Sequence, residues 1–215
     1  MNKIQLRVRD LKKTFNNRLV FNKLSFELNS GDRFVITGKN GSGKSTLIKI
    51  LAGVLTETSG TLEYFVNDKK VDRENYYQVV GLVSPYLVLY DEFTAFENLS
   101  LFSKIRGMKI SDEVINEILK RVGLFERRND LIRTYSSGMK QRMKYASAIL
   151  HDPIVLLLDE PTSNLDQDGK NFVDELIFNF RKDGIVIVAT NETQDFKYGD
   201  EIINLDDFKN SNKNL

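Results

Sequence analysis

The amino-acid sequence predicts an α/β fold with a mostly parallel sheet, an antiparallel side sheet near the N-terminus and a helical insertion. Two observations predict this class. Short, continuous apolar runs at 79–83, 154–158 and 185–189 are typical of parallel strands buried on both faces. A further strand, Arg33–Thr37, leads directly into a glycine-rich loop and then a helix, which is the order of elements that a phosphate-binding loop requires.

The other elements follow in an order that supports this fold. Alternating apolar and polar residues over 4–9 and over 24–28 predict two half-buried antiparallel strands, which we assign to the side sheet. After the glycine-rich loop, residues 46–52 predict a helix. A one-sided apolar stripe over 172–180 predicts a crossover helix that packs on the core.

Residues from about 85 to about 144 differ from the segments on either side. An amphipathic pattern over 114–122 predicts a helix, and no buried-strand run lies nearby. We therefore expect a helical insertion, a subdomain rather than an independent domain, within an α/β core at about 1–84 and 145–208. The polar segment at 209–214 has no periodicity and is expected to fray.

Composition narrows the possible partners. The chain has 215 residues, 41% of them hydrophobic, which suits one domain with an insertion. Its 31 Lys and Arg against 30 Asp and Glu give a net charge of +1, so we expect no nucleic-acid partner. There is no cysteine, hence no disulfide. Without a secretory signal or an apolar run near the ~20 residues that span a bilayer, we expect a cytoplasmic chain.

The glycine-rich loop carries the chemistry of phosphate binding. Its three glycines let consecutive backbone N–H groups turn toward one anion, and the helix that follows adds its positive dipole end. We expect Lys44 to reach the β- and γ-phosphates of a nucleotide, and Ser45 to place its hydroxyl on Mg²⁺. The residues predicted to bind the nucleotide here are Gly38, Asn40, Gly41, Ser42, Gly43, Lys44, Ser45 and Thr46.

Two carboxylates, Asp159 and Glu160, end the apolar run at 154–158. Open parallel sheets place their ligands at this end of the strands. There Asp159 can hold Mg²⁺ through water, and Glu160 can polarise a water that attacks the γ-phosphate. An acidic pair alone is more typical of a solvated turn, but the phosphate loop earlier in the chain favours the catalytic interpretation.

A third segment, residues 135–142, reads Tyr-Ser-Ser-Gly-Met-Lys-Gln-Arg and begins a further predicted helix. Ser136 and Ser137 are good N-cap residues, so this helix should begin with free N–H groups and a positive dipole. Such a helix end attracts a phosphate.

With these segments in this order, the chain resembles the nucleotide-binding subunit of an ATP-binding-cassette (ABC) transporter over nearly its whole length. The resemblance implies a P-loop NTPase core, ATP hydrolysis with ATP and Mg²⁺ as cofactors, and a dimer that sandwiches two ATP. In that dimer, Ser136, Ser137 and Gly138 of one subunit would bind ATP held by the other. The resemblance also implies that the loop at 163–166 crosses the dimer and that Phe15 stacks on adenine. A lone Phe beside a strand is equally typical of the core.

The chain departs from the family pattern at several positions. Ser137 and Met139 replace a glycine and a glutamine of the usual signature, Leu-Ser-Gly-Gly-Gln. Pro85 stands where a glutamine normally reaches Mg²⁺ and the attacking water, although Ser84 could partly substitute. Asn191 stands where a histidine normally bonds the γ-phosphate, and asparagine can donate such a bond but carries no proton. We therefore expect slow or partner-dependent hydrolysis, with these catalytic residues: Glu160, Lys44 and Asn191.

The only histidine in the chain, His151, does not align with that position, and we expect it at the surface. It follows the predicted signature helix.

Three classes of function remain open. The favoured one is an ATPase subunit that drives transport, with export the favoured direction, through separate membrane-spanning subunits that dock near 86–102. It would be a homodimer or a heterodimer, attached peripherally to the inner face of the cell membrane. The second is a soluble cassette ATPase. The neutral charge and the lack of coiled-coil heptads argue against the forms of this class that act on chromosomes or in translation. The third is a non-hydrolysing ATP switch, motivated by Pro85 and Asn191. Membrane subunits select the cargo in this family, so the resemblance leaves the substrate open.

Overall fold

The computed structural model describes residues 2–163 and 165–209. Asn164, in the predicted dimer-crossing loop, and the predicted fraying segment beyond residue 209 lie outside the described residues. The strands are β1 (Ile4–Phe15), β2 (Arg18–Asn29), β3 (Arg33–Thr37), β4 (Ser59–Val66), β5 (Lys69–Val71), β6 (Val80–Val83), β7 (Val155–Asp159), β8 (Ile185–Ala189) and β9 (Glu201–Asn204). The α-helices are α1 (Lys44–Leu51), α2 (Tyr76–Val79), α3 (Ala95–Ile105), α4 (Asp112–Arg121), α5 (Ser137–Ile149) and α6 (Gln167–Phe178).

A parallel sheet with the order β6-β7-β8-β3-β9 forms the centre of the fold. Every residue of β7 and β8 is buried, as expected for strands with helices on both faces. The three apolar runs are confirmed as strands, although β6 and β7 each begin one residue later than predicted. Ala189, at the end of β8, pairs with Ile36 of β3 on one side and Asp159 of β7 on the other. The phosphate loop and the carboxylate pair therefore start from neighbouring strand ends.

The predicted side sheet is confirmed as an antiparallel sheet with the order β2-β1-β4-β5. In the first half of β1 the residues alternate between buried and more exposed, as the sequence pattern indicates. The buried face of this sheet packs with α1 and one face of the parallel sheet in a single apolar cluster. This packing fixes α1 between the two sheets.

The segment at 85–144 is helical, and no strand of the described structure falls within it. Thr94 caps α3: its hydroxyl accepts from the Glu97 N–H at 3.1 Å, and its own N–H donates to the Glu97 carboxylate at 2.8 Å. Helices α3, α4 and α5 share an apolar cluster of their own. Helix α5 runs through the predicted boundary at 144/145, because its side chains belong to both bodies. Met143 and Ala146 pack in the helical cluster, whereas Tyr145 and Ala148 pack against the parallel sheet.

Helix α1 begins at Lys44, two residues before the predicted start, because Gly43 at φ 108° already closes the loop. On the other face of the sheet, α6 provides the predicted crossover between β7 and β8. No helix in the described part of the chain is both long enough and apolar enough to cross a membrane.

Candidate functional site

The glycine-rich loop has a backbone that side chains would obstruct. Gly38, Gly41 and Gly43 have φ angles of 147°, 76° and 108°. A Cβ atom at Gly43 would lie 2.3 Å from Val20 Cγ1, and one at Gly38 would lie 2.7 Å from Ser42 Oγ. Both positions therefore require glycine. At Gly41, by contrast, a Cβ would meet nothing within 4 Å, so the space beside this residue is free.

Several backbone donors of this loop are available for an anion. None of the hydrogen bonds found among the described residues starts at the N–H of Gly41, Gly43, Lys44 or Ser45. These groups surround the N-terminus of α1, whose dipole is positive there. The loop is therefore suited to hold a phosphate.

Lys44 links the phosphate loop to the carboxylate pair. Its side chain is 6% exposed, and its ammonium donates to the Gly38 carbonyl at 2.9 Å. The same ammonium lies 3.4 Å from Glu160 Oε1. A phosphate bound by the loop would compete with Glu160 for this cation.

The Ser45 hydroxyl and the Asp159 carboxylate lie in direct contact. The Ser45 hydroxyl donates to Asp159 Oδ1 at 3.0 Å, while Asp159 Oδ2 is buried and has no partner among the described residues. Burial raises the pKa of the Asp159 carboxyl, and the bond from Ser45 opposes this shift. No cluster of three or more acidic, histidine or cysteine side chains suited to a metal is found in the described structure. Two protein oxygens completed by phosphate and water are the set that Mg²⁺ accepts.

Glu160 is held in an unusual backbone conformation. Its φ is +50°, in the left-handed region that costs a non-glycine residue on the order of 1 kcal/mol. Its N–H donates to the Ala189 carbonyl at 2.8 Å, which continues the β7–β8 pairing by one residue. The bend turns its carboxylate away from the sheet and toward Lys44.

A buried carboxylate that sequence reasoning missed, Asp195, stabilises the ends of β7 and β8. It is 1% exposed and accepts hydrogen bonds from the hydroxyls of Thr162, at 2.7 and 2.9 Å, and Thr190, at 2.8 Å. Burial raises the pKa of the Asp195 carboxyl, and the two threonine bonds oppose that shift. Asp195 thereby fixes the segments that carry Glu160 and Asn191. Thr162 is 33 residues away in sequence, so no local pattern marks the full set of contacts.

Asn191 lies beside the phosphate loop. Its side-chain amide donates to Asn40 Oδ1 at 3.0 Å. The side-chain amide of Asn191, which is predicted to bond the γ-phosphate, therefore already contacts a residue of the phosphate loop.

A cavity of about 660 Å³ joins most of the residues predicted to bind the nucleotide. Phe15 lines it and is 47% exposed, so the alternative that Phe15 is a core residue is wrong. Pro85 and Tyr86 line the same cavity, and the Lys49 ammonium lies 4.5 Å from the centre of the Tyr86 ring. The other lining residues are Arg18, Leu19, Val20, Asn40, Gly41, Ser42, Gly43, Lys44, Ser45, Thr46, Glu160 and Lys209.

The signature segment lies outside this cavity. The Ser136 hydroxyl accepts from the Met139 N–H at 3.3 Å and caps α5, as predicted, and Ser137 is the first residue of the helix. A Cβ at Gly138 would meet nothing within 4 Å. Ser137 instead lines a second cavity of about 550 Å³, whose wall also includes Pro85 and Glu160. In a single chain, the signature segment and the phosphate loop therefore line different cavities that share Pro85 and Glu160.

The loop at Pro85 is tied to α5 by a lysine. Lys144 Nζ donates to the Pro85 carbonyl at 2.9 Å and to the Ser84 carbonyl at 3.5 Å, and burial lowers the pKa of the Lys144 ammonium. The Ser84 hydroxyl is buried and accepts from the Tyr86 N–H at 3.4 Å. Ser84 is thus engaged within its own loop.

The expected surface position of His151 is wrong. The ring is partly buried, and its Nε2 lies 3.0 Å from the Val80 carbonyl, so Nε2 carries the proton and donates it. His151 Nδ1 is buried and has no partner among the described residues. Burial, reinforced by the nearby Arg106, lowers the pKa of His151 from 6.5 to about 4.

Comparison with known protein families decides which family the chain belongs to. Residues 21–163, which include the phosphate loop, the signature segment and the carboxylate pair, match the family model described as "ABC transporter". The chain belongs to the ABC transporter family.

Individual ABC proteins agree with this assignment. The chain is 33% identical to the linearmycin resistance ATP-binding protein LnrL of Bacillus subtilis, over 86% of this chain and 60% of that protein. It is 30% identical to the lantibiotic transport ATP-binding protein SrtF of Streptococcus pyogenes, over 86% of this chain and 79% of that protein. The chain thus spans about 60% of the length of LnrL.

A solved ABC structure shares the fold. The ATP-binding cassette MJ0796, solved as a dimer in a post-hydrolysis state with ADP and Pi, superposes with a TM-score of 0.80. The alignment covers 93% of each chain at 24% identity, which supports the fold alone.

Proposed function

We propose that this chain is an ATP-binding and ATP-hydrolysing subunit that closes with a second cassette around two ATP and drives transport through separate membrane-spanning subunits. The observation that carries the proposal is the grouping of Lys44, Ser45, Asp159 and Glu160 at the mouth of one phosphate loop. The names of LnrL and SrtF, which refer to linearmycin resistance and lantibiotic transport, favour export as the direction.

The residues have distinct roles in this proposal. The loop N–H groups and Lys44 bind the phosphates, while Phe15 supports the base. Ser45 and Asp159 would hold Mg²⁺, which neutralises charge on the phosphate oxygens. Once phosphate attracts Lys44, the Glu160 carboxylate is released from its ion pair and can take a proton from the attacking water.

A second subunit would complete the site. The capped start of α5 offers N–H groups and a positive dipole, and Gly138 leaves space for close approach of a phosphate. Because α5 starts beside a different cavity from the phosphate loop, we propose that Ser136, Ser137 and Gly138 contact ATP on the partner. Either a second copy or a related cassette could supply this surface.

Hydrolysis is proposed to be slow or stimulated by the membrane partner. Pro85 offers no side-chain donor, and one N–H of the Asn191 amide already donates to Asn40. Loss of one hydrogen bond to a charged γ-phosphate removes about 1.5–3 kcal/mol. If that bond acts only in the transition state, the rate falls by roughly tenfold to a hundredfold.

Exposed aromatic and apolar side chains follow Pro85 and suit a membrane partner. Tyr86, Val88, Tyr90 and Phe93 are 69%, 77%, 46% and 39% exposed. We propose that membrane subunits dock here and hold the chain at the inner face of the cell membrane. Co-purification of integral membrane chains from detergent-solubilised native membranes would support this docking. Their absence would favour an ATPase that acts without membrane partners.

Three variants test the ATPase proposal. Lys44→Ala is expected to abolish ATP binding measured by calorimetry. Glu160→Gln should bind Mg-ATP and elute as a dimer in size-exclusion chromatography, because hydrolysis no longer releases the dimer. Asn191→His should raise turnover in a phosphate-release assay. A wild-type chain that does not bind ATP overturns the proposal, and a Glu160→Gln chain that stays monomeric with Mg-ATP overturns a sandwich made of two copies of this chain.

Pro85 and Asn191 favour one alternative, an ATP-dependent switch that does not hydrolyse. It predicts ATP binding and dimerisation without phosphate release, even in the presence of the membrane partner. The phosphate-release assay on the complex separates the two functions.

A further inference from the structure

We propose that Lys13 is a positioning residue for the nucleotide base. It holds the Phe15 ring as a rigid, cation-backed platform on which a purine stacks. This inference rests on the proposed function, because it concerns the base of the nucleotide whose phosphates the loop at 38–46 would bind.

Lys13 and Phe15 lie two residues apart on β1 and are in direct contact. The Lys13 ammonium lies 4.6 Å from the centre of the Phe15 ring. The lysine is only 9% exposed, which is unusual for this residue type. An almost buried ammonium needs compensating partners, and here the ring is one of them.

The second partner of Lys13 is a backbone carbonyl. Its Nζ donates to the Thr56 carbonyl at 2.7 Å. Thr56 belongs to the segment between α1 and β4, which is itself joined to β1: the Thr58 N–H donates to the Lys12 carbonyl at 2.8 Å, and the Thr14 N–H donates to Thr58 Oγ1 at 3.0 Å. The ammonium is therefore fixed to the segment that follows the phosphate helix.

The backbone of β1 is irregular where these side chains leave it. The pairing of β1 with β2 shifts register on both sides of Lys13. Such bulges redirect side chains at the ends of strands. If the alternation of the first half of β1 continued without a shift, Lys13 would face solvent. After the shift in register, Lys13 faces inward instead.

The two faces of the Phe15 ring have different surroundings. Phe15 lines the cavity of the phosphate loop, whereas Lys13 does not line it and is nearly buried. In this proposal the ammonium covers the face turned away from the cavity, and the base stacks on the other face.

The cation gives this platform two properties. It holds an otherwise half-exposed ring in one orientation, so less side-chain freedom is lost when a base stacks. It also draws π-electron density toward the covered face, which reduces the repulsion between the open face and an electron-rich purine. Removing the charge should weaken ATP binding by roughly threefold to thirtyfold.

Calorimetry with Mg-ATP and with inorganic tripolyphosphate, which has the phosphates but no base, tests the inference on the full chain. Lys13→Gln keeps a donor for the Thr56 carbonyl but removes the charge, and it should weaken ATP by threefold to thirtyfold while tripolyphosphate is unchanged. Lys13→Arg keeps the cation and should bind ATP as the wild type does. In a Phe15→Leu background, Lys13→Gln should have no further effect on ATP.

The outcomes separate this inference from the proposed function. Unchanged ATP affinity in Lys13→Gln overturns the inference, and so does equal weakening of ATP and tripolyphosphate, which indicates a structural role. If the wild type binds neither ligand, the proposed function fails instead.

A direct measurement covers the case in which Lys13→Gln does not fold. The ring current of Phe15 should shift the Lys13 side-chain NMR resonances upfield in the wild type but not in Phe15→Leu. ATP should move these resonances and tripolyphosphate should not. Resonances that respond equally to both ligands overturn the inference.

Discussion

Lowering the pH from 7 to 5 is expected to destabilise this protein through its single histidine. In the folded state, His151 donates through Nε2 to the Val80 carbonyl, and its unprotonated Nδ1 is buried. A proton on Nδ1 would create a buried charge near Arg106. In the unfolded chain the same ring is solvated and accepts a proton near pH 6.5.

The size of the effect follows from the two pKa values. The pKa of His151 is lowered to about 4 in the folded state, so between pH 6.5 and 4 the unfolded state binds more protons. The free energy of unfolding therefore falls as the pH decreases through this window. Between pH 7 and 5 the loss is about 2 kcal/mol. Nearly the full stability contributed by a neutral His151 is present above pH 6.5.

Urea unfolding of the wild type and of His151→Gln at both pH values measures this loss. Glutamine can still donate to the Val80 carbonyl but does not titrate. Carboxyls such as those of Asp159 and Asp195, whose pKa values burial raises, respond equally in both proteins and cancel in the comparison. The wild type should lose about 2 kcal/mol more than the variant. Equal losses would refute the reasoning, as would a single imidazole NMR resonance that titrates near pH 6.5.

Three further substitutions probe the site. Gly43→Ala would place its Cβ 2.3 Å from Val20 Cγ1 and should lower the ATP affinity measured by calorimetry at least about tenfold. Gly107→Ala is the matched control, because Gly107 has a φ of 68° but open space around its Cβ. Gly138→Ala meets open space within the chain, so urea unfolding should change by less than about 0.5 kcal/mol while ATP-dependent dimerisation is lost; an unaffected dimer would contradict the proposed interface. Asp195→Ala leaves the Thr162 and Thr190 hydroxyls without their acceptor and should lower the free energy of unfolding by about 2–4 kcal/mol. Asp195→Asn should lower it by less. Equal losses in the two variants would argue against a role of the hydrogen bonds.

The elements of the fold that sequence reasoning predicted are those with a local signal. The runs that form β6, β7 and β8 are apolar throughout because helices cover both faces of the sheet, and that burial is visible in the sequence itself. The phosphate loop and the Ser136 cap were likewise predictable, because glycine and serine are required there by local backbone geometry. Element ends were less accurate: α1 starts two residues early because Gly43 completes the loop sooner than the apolar pattern indicates.

Residues whose role depends on distant contacts could not be predicted. His151 has few local features, and it is partly buried because the end of α5 packs beside β6 and brings its ring to the Val80 carbonyl. Asp195 joins two threonines that are 33 and 5 residues away in sequence. Lys144 lies in a helix with an ordinary sequence pattern, and only the tertiary fold brings its ammonium to the Pro85 carbonyl. These interactions are tertiary contacts, and a single sequence does not indicate which residues will form them.

Helix α5 belongs to two apolar clusters, so it joins the helical segment to the parallel sheet. Its 13 residues span about 20 Å, with Tyr145 and Ala148 packed against the parallel sheet and the signature residues at the far end. A tilt of about 10° around those packed residues would displace Ser137 by roughly 2–3 Å, a distance comparable to one hydrogen bond. Lys144 holds the Pro85 loop at a point seven residues after Ser137, which is about 10 Å along the helix. The place of this lysine in α5 therefore sets the distance along one rigid element between the Pro85 loop and the signature residues.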